Sequence, residues 1–208
     1  MKIIKPKEVG EETAAKAAAE VILAGGIVAY PTETFYALGV RYDDEEALAR
    51  LFKLKGREDG KPVGLILGGL GMLMKVSLKS SPLAHRLMGE YWPGALTLVL
   101  PARKGISQRL APGGKVAARV PGSLMARLIS QEAGLPVTST SANPSGIDPA
   151  YDADSLHKAF SDLSGIDLLI DDGPAPGELP STIVEVDADG LKILRQGTCM
   201  ISQDDPIA

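Results

Sequence analysis

Two hydrophobic periods alternate along the chain, one of about four residues and one of two, and together they predict an alternation of helices and strands. Glu11 to Ala24 is alanine-rich with acids at its start, and Gly25-Gly26 follows, the pattern of a helix with a glycine stop. Ile27 to Tyr30 is a short apolar run closed by Pro31, which reads as a buried strand delivering the polar segment from Pro31 to Leu38 as a strand-end loop. Asp43 and Asp44 can cap a second helix running to Gly56, with Leu48, Leu51, Phe52 and Lys55 on one face. Helices are further predicted from Ser81-Pro82 to Glu90, over Ser123 to Ala133 with Gly134 as stop, and over Ser155 to Phe160. Strands are predicted over Val63–Leu67, Ala95–Leu100, Lys115–Val120, Leu135–Thr140, Leu168–Ile170, Ile183–Val186 and Leu191–Leu194, with Asp189-Gly190 turning the last two into a hairpin.

Helices interleaved with strands, plus a hairpin and several short connections, predict an α/β fold: a single-domain, open, twisted mixed sheet flanked by helices. The 208 residues, 45% hydrophobic and 23% charged, suffice for one core and show no repeat or low-complexity linker, so one domain is expected over residues 1–208, with its core about 11–198. A formal charge of −4 argues against a chain-wide grip on a nucleic-acid backbone. The lone Cys199 cannot form an internal disulfide, and with only His85 and His157 no Cys/His metal site is expected. No apolar run has signal-peptide or membrane-spanning length, so the expected location is cytoplasmic, without a membrane partner.

The candidate chemistry emerges by elimination. There is no Walker-type phosphate loop, and Gly69-Leu70-Gly71 lacks the third glycine of a dinucleotide fingerprint. His85 and His157 sit in charged helical patterns and Cys199 has no neighbouring base, which removes hydrolytic nucleophile chemistry. Cations and hydroxyls are left. Lys53, Lys55, Arg57 and Lys61 cluster at a helix C-terminus; Lys53 falls on the polar face, but Lys55 shares the apolar face, where an ammonium needs a counter-ion or a hydrated cleft. A triphosphate would serve. Period-two alternation puts Lys115, Ala117 and Arg119 on one strand face, a pattern that a solvated sheet face explains equally well, and it aligns Ser139 with Ser141 near a strand end followed by Asn143-Pro144-Ser145-Gly146.

These fragments, in order, resemble the YrdC family: Pro31-Thr32-Glu33-Thr34 with Tyr36 and Leu38-Gly39, Lys55-Gly56-Arg57, Trp92 to Thr97, Arg119-Val120-Pro121, Ser139 to Asn143 with Ser145-Gly146, Ser181-Thr182 and Leu194 to Gly197. The resemblance spans nearly the whole chain. It departs from the usual family pattern at Phe35, Ala37, Glu58 and Ile66. It implies the short form, without a second C-terminal domain, and a concave basic cavity. The implied reaction makes L-threonylcarbamoyl-AMP and pyrophosphate from L-threonine, bicarbonate and ATP with Mg2+, the first step towards threonylcarbamoyladenosine in tRNAs that read codons beginning with A. By resemblance, Arg57, Lys61, Lys115, Ser139, Ser141 and Arg195 contact ATP; Thr34, Arg119, Ser141 and Ser181 contact threonine; Lys55 and Arg57 are catalytic, with Lys55 facing phosphate. Downstream tRNA threonylcarbamoyltransferase proteins would take the product. Two alternatives stand beside this reading: a carbamoyl-adenylate enzyme of the same fold, and a non-catalytic module that binds RNA weakly through its concave surface.

Overall fold

A computed structural model describes residues 1–57, 62–160, 162–176, 178–187 and 190–201. Its strands are β1 (Lys2–Ile4), β2 (Val28–Pro31), β3 (Tyr36–Gly39), β4 (Gly64–Ile66), β5 (Leu96–Pro101), β6 (Lys115–Arg119), β7 (Val137–Ser141), β8 (Leu168–Ile170), β9 (Thr182–Asp187) and β10 (Gly190–Arg195). Its α-helices are α1 (Pro6–Val9), α2 (Glu11–Leu23), α3 (Glu45–Lys55), α4 (Pro82–Tyr91), α5 (Leu124–Ala133) and α6 (Ala153–Ala159). The helix stops and starts follow local chemistry. Asp44 caps α3 by accepting from the N–H groups of Glu46 and Ala47, and Gly56 ends it in the left-handed conformation at φ 57°. Ser81 and Ser123 cap α4 and α5 in the same way, each through a hydroxyl accepting from a backbone N–H three residues on.

The ten strands form one sheet in the order β1-β8-β2-β3-β7-β4-β6-β5-β9-β10. Four neighbouring pairs are parallel (β1–β8, β8–β2, β4–β6 and β5–β9) and the rest are antiparallel, which is the mixed sheet expected. Strand β3 is a correction to the sequence reading. The segment after Pro31 is not simply a loop: β2 and β3 pair as a hairpin, Val28 opposite Gly39 and Pro31 opposite Tyr36, around the short connection 32–35. All four residues of β3 are buried, and its other edge pairs with β7, so Pro31 ends one strand of a hairpin inside the sheet. The β9–β10 hairpin also forms, although Asp189 of its expected turn lies outside the described residues.

Alternation along the strands sorts the side chains into two faces. One face carries Ala29, Leu38, Leu65, Leu98, Ala118 and Val184, covered by Leu48, Leu51 and Phe52 of α3, Leu87 and Met88 of α4, and Leu156 of α6. The other carries Val28, Tyr30, Ala37, Ile66, Val137 and Leu168, covered by α2 and α5. Helix α2 presents Ala14, Ala15, Ala18, Ala19 and Ile22, and α5 presents Met125, Ala126 and Ile129; the small alanines let the two helices pack against each other. Continuing along the same face, the registers Gly64 opposite Ser139, Ile66 opposite Arg119, Val99 opposite Ala117 and Thr97 opposite Ile183 carry the surface past these helices. There it opens into a cavity. No described helix is long and apolar enough to cross a membrane.

Candidate active site

The cavity measures about 560 Å3, and the charged side chains among its described lining are Arg57, Arg119 and Arg195. Its serine and threonine residues are Thr32, Thr34, Thr97, Ser139, Thr140, Ser141 and Ser181, and Tyr36 also lines it. Of the ten residues singled out from sequence, Thr34, Arg57, Arg119, Ser139, Ser141, Ser181 and Arg195 meet here. Lys61 lies outside the described residues.

Arg119 ends β6 and is buried to 6% exposure. Its Nη1 lies 2.9 Å from Oε1 of Glu33, an ion pair in which neither atom has an aligned hydrogen-bond partner among the described residues. The other carboxylate oxygen of Glu33 accepts from the Ser123 N–H at the start of α5 (3.1 Å). Arg119 is thus held from behind by a carboxylate that is itself fixed to a helix end, while the cavity lies in front of it. Across the cavity, Nε and Nη2 of Arg195 donate to the Ser181 carbonyl (3.1 and 2.8 Å), and Nη2 also reaches the Ser181 hydroxyl (3.2 Å). That hydroxyl is 3.0 Å from the hydroxyl of Thr97. Burial, with Arg119 adding repulsion, lowers the Arg195 pKa; burial alone lowers that of Arg57, whose Nη2 donates to the Pro62 carbonyl (2.8 Å).

Thr34 is buried, its hydroxyl 3.0 Å from that of Thr32, which in turn donates to the Phe35 carbonyl (2.7 Å) and closes the hairpin connection. Ser141 and Ser139 project from β7, and the Ser141 hydroxyl donates to Oδ1 of Asn143 (2.5 Å).

Two of the lysines singled out from sequence stand apart from the cavity lining. Lys55 does point inward, with 2% exposure, but it is not among the residues lining the cavity. Its ammonium donates to the carbonyls of Ser141 and Asn143 (the latter at 2.6 Å) and to Oδ1 of Asn143 (3.3 Å). Three acceptors use three N–H groups, so the counter-charge it needs is the dipole of a carbonyl cage, and no phosphate is required to explain its burial. The Lys55 carbonyl also accepts from the Ser145 N–H (2.8 Å), and the Asn143 side-chain amide donates to the Ile147 carbonyl, so the end of α3 clamps the whole loop after β7. Burial, reinforced by Arg57, pushes the Lys55 pKa down to about 7. Lys115 lies on the cavity face as its alternation requires, but at the outer end of β6, exposed and ion-paired with Glu185 of β9, outside the cavity lining. That pairing raises its pKa.

Thr97 lines the candidate site, and Glu33 and Asn143 support its residues, roles that sequence reasoning missed. All three stand inside the motifs quoted above, but what makes them matter is a partner 84, 86 or 88 positions away: Ser181 for Thr97, Arg119 for Glu33, Lys55 for Asn143. His85 is an exposed helix residue whose Nε2 lies 2.7 Å from the Ser80 hydroxyl, and the Cys199 thiol is pushed up by burial; neither joins the cavity.

Set against known proteins, residues 20–197 match the family model of the Sua5, YciO and YrdC proteins, described as telomere recombination. The threonylcarbamoyl-AMP synthase of Bacillus subtilis is 32% identical over 183 residues, 86% of this chain and 52% of its own length. That of Idiomarina loihiensis is 34% identical over 170 residues, 80% of this chain and 90% of its own. The crystal structure of Pyrococcus abyssi Sua5 complexed with L-threonine superposes with a TM-score of 0.86 at 30% identity, covering 94% of this chain and 57% of that one. The chain therefore spans about half the length of the Bacillus and Pyrococcus relatives.

Proposed function

Because the chain belongs to the Sua5, YciO and YrdC family, we propose that it is a nucleotidyltransferase that joins L-threonine, bicarbonate and ATP into L-threonylcarbamoyl-AMP, releasing pyrophosphate. The observation that carries this reading is the cavity itself: three arginines and seven serine or threonine residues line it, with no histidine, cysteine or carboxylate in its described lining. Such a lining suits a reaction whose nucleophiles belong to the substrates. The threonine amine adds to bicarbonate or carbon dioxide to give a carbamate. A carbamate oxygen then attacks the α-phosphorus of ATP as the bond to pyrophosphate breaks. The protein's task is alignment of mutually repelling anions and stabilisation of charge on the phosphate oxygens.

In this reading Arg119, fixed by Glu33, takes the threonine carboxylate with its planar fork, a geometry a lysine does not reproduce. Thr34 and Ser181 border the amino acid, while Arg57, Arg195, Ser139 and Ser141 meet the nucleotide. Lys61 and Lys115 would also meet the nucleotide, Lys115 from outside the described cavity lining, and Lys55 would act through the Ser141–Asn143 segment that it holds. Magnesium, the expected companion of ATP, neutralises phosphate charge when bound. It would arrive on the phosphates of ATP and need few dedicated protein ligands. The product would pass to tRNA threonylcarbamoyltransferase proteins.

The test is pyrophosphate release from ATP, magnesium and bicarbonate with and without L-threonine. Threonine-dependent release, accompanied by a threonylcarbamoyl adenylate detected by mass spectrometry, is the expected result. Release that ignores threonine but requires carbamoyl phosphate would replace this reading with the carbamoyl-adenylate one.

A further inference from the structure

A second cavity, of about 440 Å3, lies at the opposite end of the sheet's long strands from the first. The first is lined by Thr97 and Val99 early in β5 and by Tyr36 and Ala37 early in β3; the second takes its walls from the segments that follow those same strands. Tyr42, Asp43 and Glu45 come after β3, Arg103 to Ser107 after β5, and Lys75 from the 3-10 turn Leu70–Lys75.

The charges in this cavity are unevenly matched. Both oxygens of Asp43 are taken by Arg41 (2.8 and 3.2 Å), and Glu45 is taken by Arg109 (2.9 Å); neither arginine is part of the lining. The hydrogen bonds of both acids are thus made outside the lining, although the Asp43 pKa, lowered chiefly by its hydrogen bonds with Arg41, is lowered a little further by the Lys75 charge. Lys75, Arg103 and Lys104 form no ion pair with any described residue. Arg103 is also tethered: its N–H donates to the Val76 carbonyl (2.7 Å) and its Nη1 to the Met74 carbonyl (3.2 Å), which fixes one corner of the guanidinium and leaves the remaining donors open. The loop itself is a turn closed by Ile106 N–H to the Arg103 carbonyl (3.4 Å), with Gly105 at φ 91°. Among the described residues the backbone N–H groups of Lys104, Gly105 and Ser107 have no hydrogen-bond acceptor. The adjacent N–H groups of Lys104 and Gly105, with that of Ser107 beyond the turn-closing Ile106, lie around a left-handed residue beside cations without ion pairs, the kind of concavity that takes oxyanions. An arginine fork with two lysines matches phosphoryl oxygens in particular, because it combines directional donors with point charges.

We propose that this cavity is a second anion site, which binds a phosphoryl group through Arg103, Lys104, Lys75 and the N–H groups of the 104–107 loop. The group's source is either a free phosphate compound or the phosphodiester of a nucleic acid. The site is separate from the first cavity, and its test does not depend on the proposed reaction.

Amide resonances of the full chain are followed by 15N NMR during titration with inorganic pyrophosphate and, separately, with a hexauridylate RNA. Saturable shifts of the Lys104, Gly105 and Ser107 amides are expected with at least one probe. The double substitution Arg103→Ala, Lys104→Ala, together with an independent Lys75→Gln variant, should weaken that binding at least about tenfold and leave pyrophosphate shifts at the Ser139 and Ser141 amides unchanged. Response to pyrophosphate alone assigns a free phosphate compound as the source. Response to RNA alone, with affinity falling steeply with salt, assigns the phosphodiester. If neither probe moves these amides, or the well-folded variants bind as the parent does, the proposal is overturned.

Discussion

Lys55 shows what a single residue's spacing can and cannot say. Helical periodicity places it on the apolar face with Leu48, Leu51 and Phe52, and the structure buries it there. What its ammonium meets is set by Ser141 and Asn143, more than 80 positions away, and no local pattern encodes that. Arg119 is legible for the opposite reason, because alternation alone places it on one strand face with Ala117, whereas Arg195 lies one position beyond the expected strand Leu191–Leu194 and is singled out only by the resemblance. The pKa of Lys55 is lowered by burial to about 7, so between that value and 10.5 the folded chain binds fewer protons than the unfolded one. Stability then rises with pH across this window, by at most about 1.4 kcal/mol per pH unit, and is flat below it for this group. Lys55→Met removes the titration and takes the ammonium donor from the buried Asn143 carbonyl, a loss of about 1–3 kcal/mol, while the Ser141 carbonyl keeps the Asn143 N–H (2.9 Å). Urea unfolding at pH 6.5 and pH 9 should therefore show the variant less stable at both, with a wider gap at pH 9. A gap that stays constant would mean that the carbonyl cage keeps Lys55 charged throughout.

At the scale of elements, the helices were readable because their signals are local: Asp44, Ser81 and Ser123 as caps, Gly56 and Gly134 as left-handed ends. Strand β3 was not. Tyr36-Ala37-Leu38-Gly39 is buried on both faces, so it lacks the polar alternation that marks a half-exposed strand, and Pro31 looks like an end when it is the last rung of a hairpin. Close packing on that strand explains Gly39. A Cβ there would lie 2.7 Å from Cε1 of Tyr30, 2.8 Å from Cγ1 of Val137 and 3.1 Å from the Thr138 carbonyl, against a ring and a strand that cannot give way cheaply. Gly39→Ala is expected to destabilise by about 1–3 kcal/mol through overpacking. Gly56→Ala, at an open left-handed cap, should cost about 1 kcal/mol through backbone strain alone. Chemical denaturation that ranked these two in the reverse order would contradict the packing account of β3.

For the whole molecule, the decisive asymmetry is between the two sheet faces. One is covered by α3, α4 and α6; on the other, α2 and α5 cover only the half that carries Val28, Tyr30 and Val137. The uncovered half borders three arginines: Arg119 is buried and matched by Glu33, Arg57 is half-buried and Arg195 is exposed, and partial desolvation lowers the pKa of both Arg57 and Arg195. Gathering like-charged, partly desolvated guanidinium groups around one cavity is costly in the empty protein, and that cost is returned when an anion arrives. Ligands should therefore stabilise the fold as a whole, because they bind the native state and not the unfolded chain. At a hundred times its dissociation constant, a ligand adds about 2.7 kcal/mol. For a chain of 208 residues this raises the melting temperature by roughly 5–10 °C. A thermal scan with ATP and L-threonine should show that increment in the parent protein, and Arg57→Ala should lose most of it, whatever its effect on the unliganded melting point. An Arg57→Ala protein that kept the full ligand-induced rise would remove Arg57 from the nucleotide's contacts. A parent protein that did not respond to either ligand would separate the cavity's charge from ligand binding altogether.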